Sequence, residues 1–258
     1  MRIIISPAKK MRIDTDTMPW KDLPCFIEKA EVLYKKLQSM SNVELQKLWH
    51  CNDTIADENV ARLKYSNLRI NLTPALLAYK GIQYQYMASN VFTWDEYEYL
   101  QEHLRILSGL YGILRPLDGV IPYRLEMQAR LKICDAKNLY AYWGSLIADK
   151  ICSESNCIIN LASKEYSLCV SPFLKPGVSM IHCVFGEEQA GKVIEKGTLC
   201  KMARGEMVRY LAENHVERPG DLKDFSRLNY CFSPQYSDST HFVFLNTKKG
   251  DRTAWPIS

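Results

Sequence analysis

The chain has 258 residues, 47% of them hydrophobic and 24% charged, which excludes a disordered polypeptide and allows one large domain or two small ones around a buried core. Lysine plus arginine exceed aspartate plus glutamate by 33 to 29, a surplus too small to demand a polyanionic partner, although it allows a local basic cleft. No apolar run approaches the roughly 18 to 20 residues of a membrane helix, the opening MRIIISPAKK turns polar too soon for a signal peptide, and nine scattered cysteines without a C-x-x-C pair read as reduced, mainly buried thiols of a cytosolic protein.

RIII at residues 2–5 is a β-branched run stopped by Ser6-Pro7, as expected of a buried strand that delivers a loop. Lys9 and Lys10 follow directly, where sheet proteins commonly place binding groups. From Phe26 to Leu37 the residues Ala30, Leu33 and Leu37 share one helical face. Ser41 with Glu44, and Thr93 with Glu96, spell capping boxes for two further helices. After the second box, Tyr97, Leu100, Leu104 and Leu107 recur at helical steps, which predicts a helix running through 107.

The segment YGILRPLDGVIPY breaks that pattern with Gly112, Pro116, Gly119 and Pro122 and predicts a structured loop. A helix is expected over 139–151. Strands are expected at 157–162, 180–185, 192–194 and 242–246, with a helix over 201–215 despite Gly205. No repeat or linker interrupts the chain. Strands at both ends with helices between favour an α/β (α+β-like) fold, a single mixed-sheet domain over 1–258 with surrounding helices.

No G-x-G-x-x-G, G-x-x-x-x-G-K-[ST], H-E-x-x-H or G-x-S-x-G occurs, so no recognised catalytic motif is present and no cofactor is called for. The five histidines are isolated. His182 and Cys183 are neighbours on a strand and point to opposite faces, so no metal site is expected there.

The chemistry that remains is cationic. HLRILSGLYGILRPLDGVIPYRLEM (103–127) sets Arg105, Arg115 and Arg124 among apolar and aromatic residues. Glu102 on the expected helix and Glu126 beside Arg124 are available as internal ion-pair partners. Taken as a group, Arg105 and Arg115 beside the open backbone of Gly109, Tyr111 and Gly112 suit phosphate oxygens. On the helix from 201, Lys201, Arg204 and Arg209 share one broad side that borders the apolar stripe, as a cleft wall would, or else form a solvated charged face. NLASKEY (160–166) gathers Asn160, Ser163, Lys164, Glu165 and Tyr166 at a strand end, fit either to orient a small ligand or to cap the next helix.

The blocks IISPAKKM, HLRILSGLYGILRPLDGVIPYRLEM, LYAYWG, INLASKEYS and KMARGEMVRYLAEN, in this order between residues 3 and about 245, resemble the YaaA peroxide-stress family. The resemblance implies a bacterial cytosolic protein of the oxidative stress response that limits damage by peroxide and unincorporated iron. It also implies DNA binding, a single α/β domain with a positively charged cleft, and a helix-hairpin-helix-like element. That element is expected over 48–65, with ADEN (56–59) as its turn; the glycines usual there are missing, and Asp57 and Glu58 repel phosphate. The pattern also departs at Ile82, where the family usually carries an aspartate.

Two functions follow as expectations. The leading one is sequence-tolerant binding of duplex or branched DNA in peroxide defence, with Lys9, Lys10, Arg105, Arg115, Arg124, Lys201, Arg204 and Arg209 neutralising phosphates and Tyr111, Tyr123 and Trp143 stacking on bases. The alternative is an enzyme acting on a small phosphorylated or nucleotide-like substrate, with Ser6, Lys9, Asn160, Ser163, Glu165 and Tyr166 converging. An open trough as wide as a duplex supports the first; a deep pocket with a perturbed Lys9 or Glu165 supports the second. A third reading, iron sequestration, requires clustered ligands that the sequence scatters.

Overall fold

The computed structural model describes residues 1–247; residues 248–258, the end of the expected 1–258 domain, lie outside the described residues. In chain order the first part holds β1 (Arg2–Ile5), β2 (Lys10–Met11), α1 (Ile27–Gln38), α2 (Asn42–Trp49), α3 (Asp53–Tyr65), β3 (Thr73–Pro74), α4 (Ala75–Ala78), β4 (Tyr79–Lys80), α5 (Ile82–Met87) and α6 (Trp94–His103). There follow β5 (Leu104–Ser108), β6 (Gly112–Leu114), β7 (Gly119–Val120), α7 (Leu139–Trp143), α8 (Leu146–Glu154), β8 (Cys157–Leu161) and α9 (Lys164–Ser167). The last are β9 (Ser179–Gln189), β10 (Lys192–Ile194), α10 (Gly197–Glu213), β11 (Tyr230–Phe232) and β12 (His241–Asn246).

The main sheet is ordered β11, β12, β9, β8, β1, β5, β6, with β10 beside β9. Its five middle strands are parallel, while β6, β10 and β11 pair antiparallel with their neighbours. This is the mixed α/β architecture that the sequence predicts. β1 lies between β5 and β8, and its three isoleucines are 0% exposed. Burial on both faces is what a parallel sheet covered by helices imposes. Two-stranded ribbons, β2 with β4 and β3 with β7, stand off the sheet.

Both capping boxes form: Ser41 and Thr93 accept the backbone N–H of Glu44 and Glu96, whose carboxylates take the cap N–H groups in return. The helix after Thr93 nevertheless ends at His103, not 107. Leu104–Ser108 becomes a strand that pairs with β1, register Ile3 with Leu104 and Ile4 with Arg105. All five residues are buried, and a short, mostly apolar run fits a central strand as well as a helix until a partner decides it.

The expected loop at 111–123 contains β6 and β7, because the chain turns back at 109–111 to pair β6 with β5. Gly112 makes that turn possible at φ 73°, and a Cβ there would meet the Trp143 ring at 2.8 Å. The expected 139–151 helix is two helices parted at Gly144, φ 50°. β11 escapes the sequence reading, being three residues on the sheet edge. Between α2 and α3 the turn falls at 50–52, with His50 left-handed, while ADEN lies inside α3, where Asn52 rather than a glycine caps the helix.

Candidate functional site

At the C-terminal ends of β1 and β8 the parallel strands release two loops side by side, the usual place for a ligand in an open α/β sheet. The loops are stitched together: Ser6 Oγ accepts the Ser163 N–H at 2.8 Å and donates to Ser163 Oγ at 3.1 Å. Tyr84 of α5 donates its hydroxyl to the Ser6 carbonyl at 3.0 Å. Ser6 and Ser163, which the sequence places in unrelated segments, thus form one seam.

Above this seam opens a cavity of 620 Å³, within the range that holds small-molecule ligands. Its walls come from the loop after β1, the β2–β4 ribbon, α5, the segment 123–126, α9 and α10. Six cationic side chains line it, Lys9, Lys10, Lys80, Arg124, Lys201 and Arg204, against two carboxylates, Glu126 and Glu165. Tyr84, Tyr123, Tyr166, Ile82 and Leu125 supply an apolar portion.

The packing of α10 on α5 builds one wall and explains Gly205. A Cβ at this position would stand 2.2 Å from the Gln83 carbonyl oxygen, so only glycine lets the helices approach this closely. Lys201 and Arg204 are thereby carried to the cavity that Gln83 and Tyr84 line from the other helix.

Among the described residues, three of these six cations have an acidic partner and three do not. Lys9 Nζ pairs with Glu126 Oε2 at 2.9 Å, whereas Lys10, Lys80 and Lys201 make no ion pair among the described residues. Arg124 reaches the Trp49 carbonyl and, at 3.6 Å, Glu126; Arg204 lies 3.5 Å from Glu195. Gln83 Nε2, Arg124 Nε, Glu126 Oε1 and Arg204 Nε are buried without a hydrogen-bond partner; among the described residues the sole further such atom is Trp49 Nε1. Native proteins leave few buried polar groups unpaired. Four of these five atoms belong to residues that line the one cavity.

Glu165 is half-buried, and its Oε1 accepts the Gln128 N–H at 3.2 Å. Burial raises its pKa, the nearby Glu126 charge adds to the rise, and the Gln128 N–H and Lys9 oppose it. The Tyr140 hydroxyl donates to the Glu165 carbonyl at 2.8 Å and fixes its backbone. Tyr123 is held through its hydroxyl by Tyr79 at 2.8 Å and Ser108 at 2.6 Å.

The structure therefore gathers Ser6, Lys9, Lys10, Tyr123, Arg124, Ser163, Glu165, Tyr166, Lys201 and Arg204, while six other candidates lie elsewhere. Asn160 is buried under the loops, bonding the Ala162 N–H and His182. Arg105, now on a strand, is buried against Glu154 at 2.7 Å, and the Glu102 expected to hold it pairs with Arg2 instead. Arg115 is bound to Asp118 and Asp22. Tyr111 is fully buried, as is the proposed stacking partner Trp143, so neither ring is open to a base. Arg209 pairs with Glu213 at 2.7 Å: at 100° per residue it stands about 140° from Arg204 and about 40° from Glu213.

Sequence reasoning missed Lys80, Gln83 and Tyr84. They lie in a two-residue strand and a six-residue helix, too short to show a period, and only a lysine beside Gly81 signalled a loop. No group of three or more His, Cys, Asp or Glu among the described residues is placed to hold a metal ion. No helix among them is long and apolar enough to cross a membrane.

The chain is similar along nearly its whole length to proteins called UPF0246 protein. The one from Lachnoclostridium phytofermentans is 50% identical over 252 residues, covering 98% of this chain and 99% of that one. The one from Agathobacter rectalis is 51% identical over 244 residues, covering 95% and 98%, and that of Pediococcus pentosaceus is 45% identical over 248 residues, covering 96% and 99%. A family model described as peroxide stress protein YaaA matches residues 1–236, and the chain belongs to that family.

Proposed function

We propose that the chain serves in peroxide stress through its 620 Å³ cavity, which binds a small phosphorylated, nucleotide-like ligand. The observation that carries this reading is the set of uncommitted donors on one cavity: three lysines without ion pairs, and Gln83, Arg124 and Arg204 with buried nitrogens lacking acceptors. Guanidinium forks and ammonium groups meet phosphate oxygens well, and the tyrosines that also line the cavity suit a planar base. A thermal-shift panel of inorganic phosphate, sugar phosphates and nucleoside monophosphates tests it. Stabilisation that is lost in Lys80→Ala and Arg204→Ala supports the reading; no stabilisation by any phosphate compound removes it.

DNA binding is a second reading, favoured by the exposure of Lys9, Lys10, Lys80 and Lys201 around the same cavity. A cavity of this size takes a nucleotide at a time, so the fitting substrate is a strand end or splayed base, with neighbouring phosphates on the lysines. Six phosphate contacts on single-stranded DNA give a log–log salt slope of about −4. A slope near zero, or equal affinity for intact duplex and single strand, counts against this form of binding.

A further inference from the structure

Two carboxylates stand inside an otherwise cationic cavity, and phosphate binding has no use for either. Glu126 projects from the segment after β7, and Glu165 from α9. Gln128, two residues after Glu126, donates its N–H to Glu165 Oε1, so the two groups are held on adjoining walls. Their surroundings differ. Glu126 is ion-paired through both oxygens, with Lys9 at 2.9 Å on Oε2 and with Arg124 at 3.6 Å on Oε1. Glu165 has no ion pair among the described residues and receives a backbone N–H on one oxygen.

We infer that Glu165 is a catalytic general acid and Glu126 its companion base in the hydrolysis of the N-glycosidic bond of a nucleoside 5′-monophosphate. This rests on the phosphate-site reading above. The cationic wall of Lys80, Lys201 and Arg204 takes the phosphate, and the base lies against Tyr84 and Tyr166. The sugar then bridges the cationic and aromatic portions, within reach of the carboxylates.

The step balances without a redox partner. Water adds its oxygen to the anomeric carbon as the Glu126 carboxylate takes its proton. The carbon–nitrogen bond breaks, its electron pair stays on the base nitrogen, and that nitrogen receives the Glu165 proton. Solvent returns the proton from Glu126 to Glu165, leaving ribose 5-phosphate and free base. Two carboxyl groups held in unlike environments are how one site supplies both acid and base at the same pH. Burial and the neighbouring Glu126 charge both favour the protonated form of Glu165.

The test is base release by the full chain from each ribo- and deoxyribonucleoside 5′-monophosphate, followed by chromatography with ribose 5-phosphate or its deoxy counterpart quantified. At least one nucleotide is expected to be cleaved. Glu165→Gln should lower the rate 10²- to 10⁴-fold, the usual contribution of a general acid, with thermal stabilisation by that nucleotide retained. Glu126→Gln should do likewise, and wild-type turnover should fall on the alkaline side as Glu165 loses its proton. Nucleotide stabilisation without base release, or release indifferent to Glu165→Gln, overturns this inference and leaves the phosphate site standing. Absence of stabilisation by every nucleotide removes both.

Discussion

Lys10 and Lys80 face each other directly across the antiparallel ribbon of β2 and β4, and neither has an ion-pair partner among the described residues. Like charges opposed in a ladder cost stability. Both line the cavity, and their mutual repulsion is not offset by any acid among the described residues.

Replacing one of the pair separates the two effects. Lys80→Ala should raise Tm by about 1–3 °C at low ionic strength, and the gain should vanish in high salt. The same variant should lose most of its stabilisation by nucleotide. A Tm that falls, with ligand stabilisation intact, would place Lys80 outside the site.

Gly205 joins the fold to the cavity. Gly205→Ala forces α10 away from α5, because the Gln83 carbonyl occupies the space of the new methyl group. The expected cost is about 1–3 kcal/mol, as for other overpacked interiors. Nucleotide binding should weaken along with it, since Arg204 moves with the helix. Urea denaturation of the variant checks the first effect and calorimetry the second.

Arg105 and Glu154 present the opposite case, a structural pair. Arg2, Arg105 and Lys150 all converge on the Glu154 carboxylate, whose side chain is 13% exposed. Glu154→Ala leaves the buried Arg105 without its counter-ion and should cost about 3–5 kcal/mol. Nucleotide stabilisation, measured as a Tm increment, should survive at temperatures where the variant is folded. Its loss would tie this cluster to the site.

Asp118 gives a pH signature. Its side chain is buried, and despite the hydrogen bonds from Arg115, burial lifts its pKa to about 6. A group that binds its proton more tightly in the fold favours the native state at low pH, and that advantage is lost as pH rises from about 4 through 6. The difference in unfolding free energy between wild type and Asp118→Asn should therefore shift by up to about 3 kcal/mol against the wild type between pH 4 and 7. A flat difference would mean that Arg115 keeps the carboxylate ionised throughout.

Much of this protein is written locally. RIII is a buried strand in any context that covers both faces, and the two capping boxes start α2 and α6 because their hydrogen bonds span three residues. The polar loops after β1 and β8 were legible as strand-end loops for the same reason, since Ser6, Lys9, Ser163 and Glu165 each follow a run that reads as a strand end. Local signals stop where pairing partners decide. Leu104–Ser108 carries helical spacing, yet its backbone bonds go to β1, and that choice sends Arg105 to Glu154 and away from the site.

The same distinction sorts the arginines. Composition and spacing mark Arg105, Arg115, Arg124, Arg204 and Arg209 alike as cations near apolar residues. Whether an arginine is spent or free depends on acids brought from distant segments: Glu154 and Asp22 arrive for Arg105 and Arg115. Among the described residues Arg204 has only Glu195, at 3.5 Å, and keeps a buried nitrogen without an acceptor. The sequence by itself determined the cationic inventory, the central strand and the helix starts, because these rest on residue type and short-range hydrogen bonds. Only the tertiary structure decided which cations remain unneutralised and that they share a cavity with two carboxylates, because charge compensation acts through space between segments the chain holds far apart.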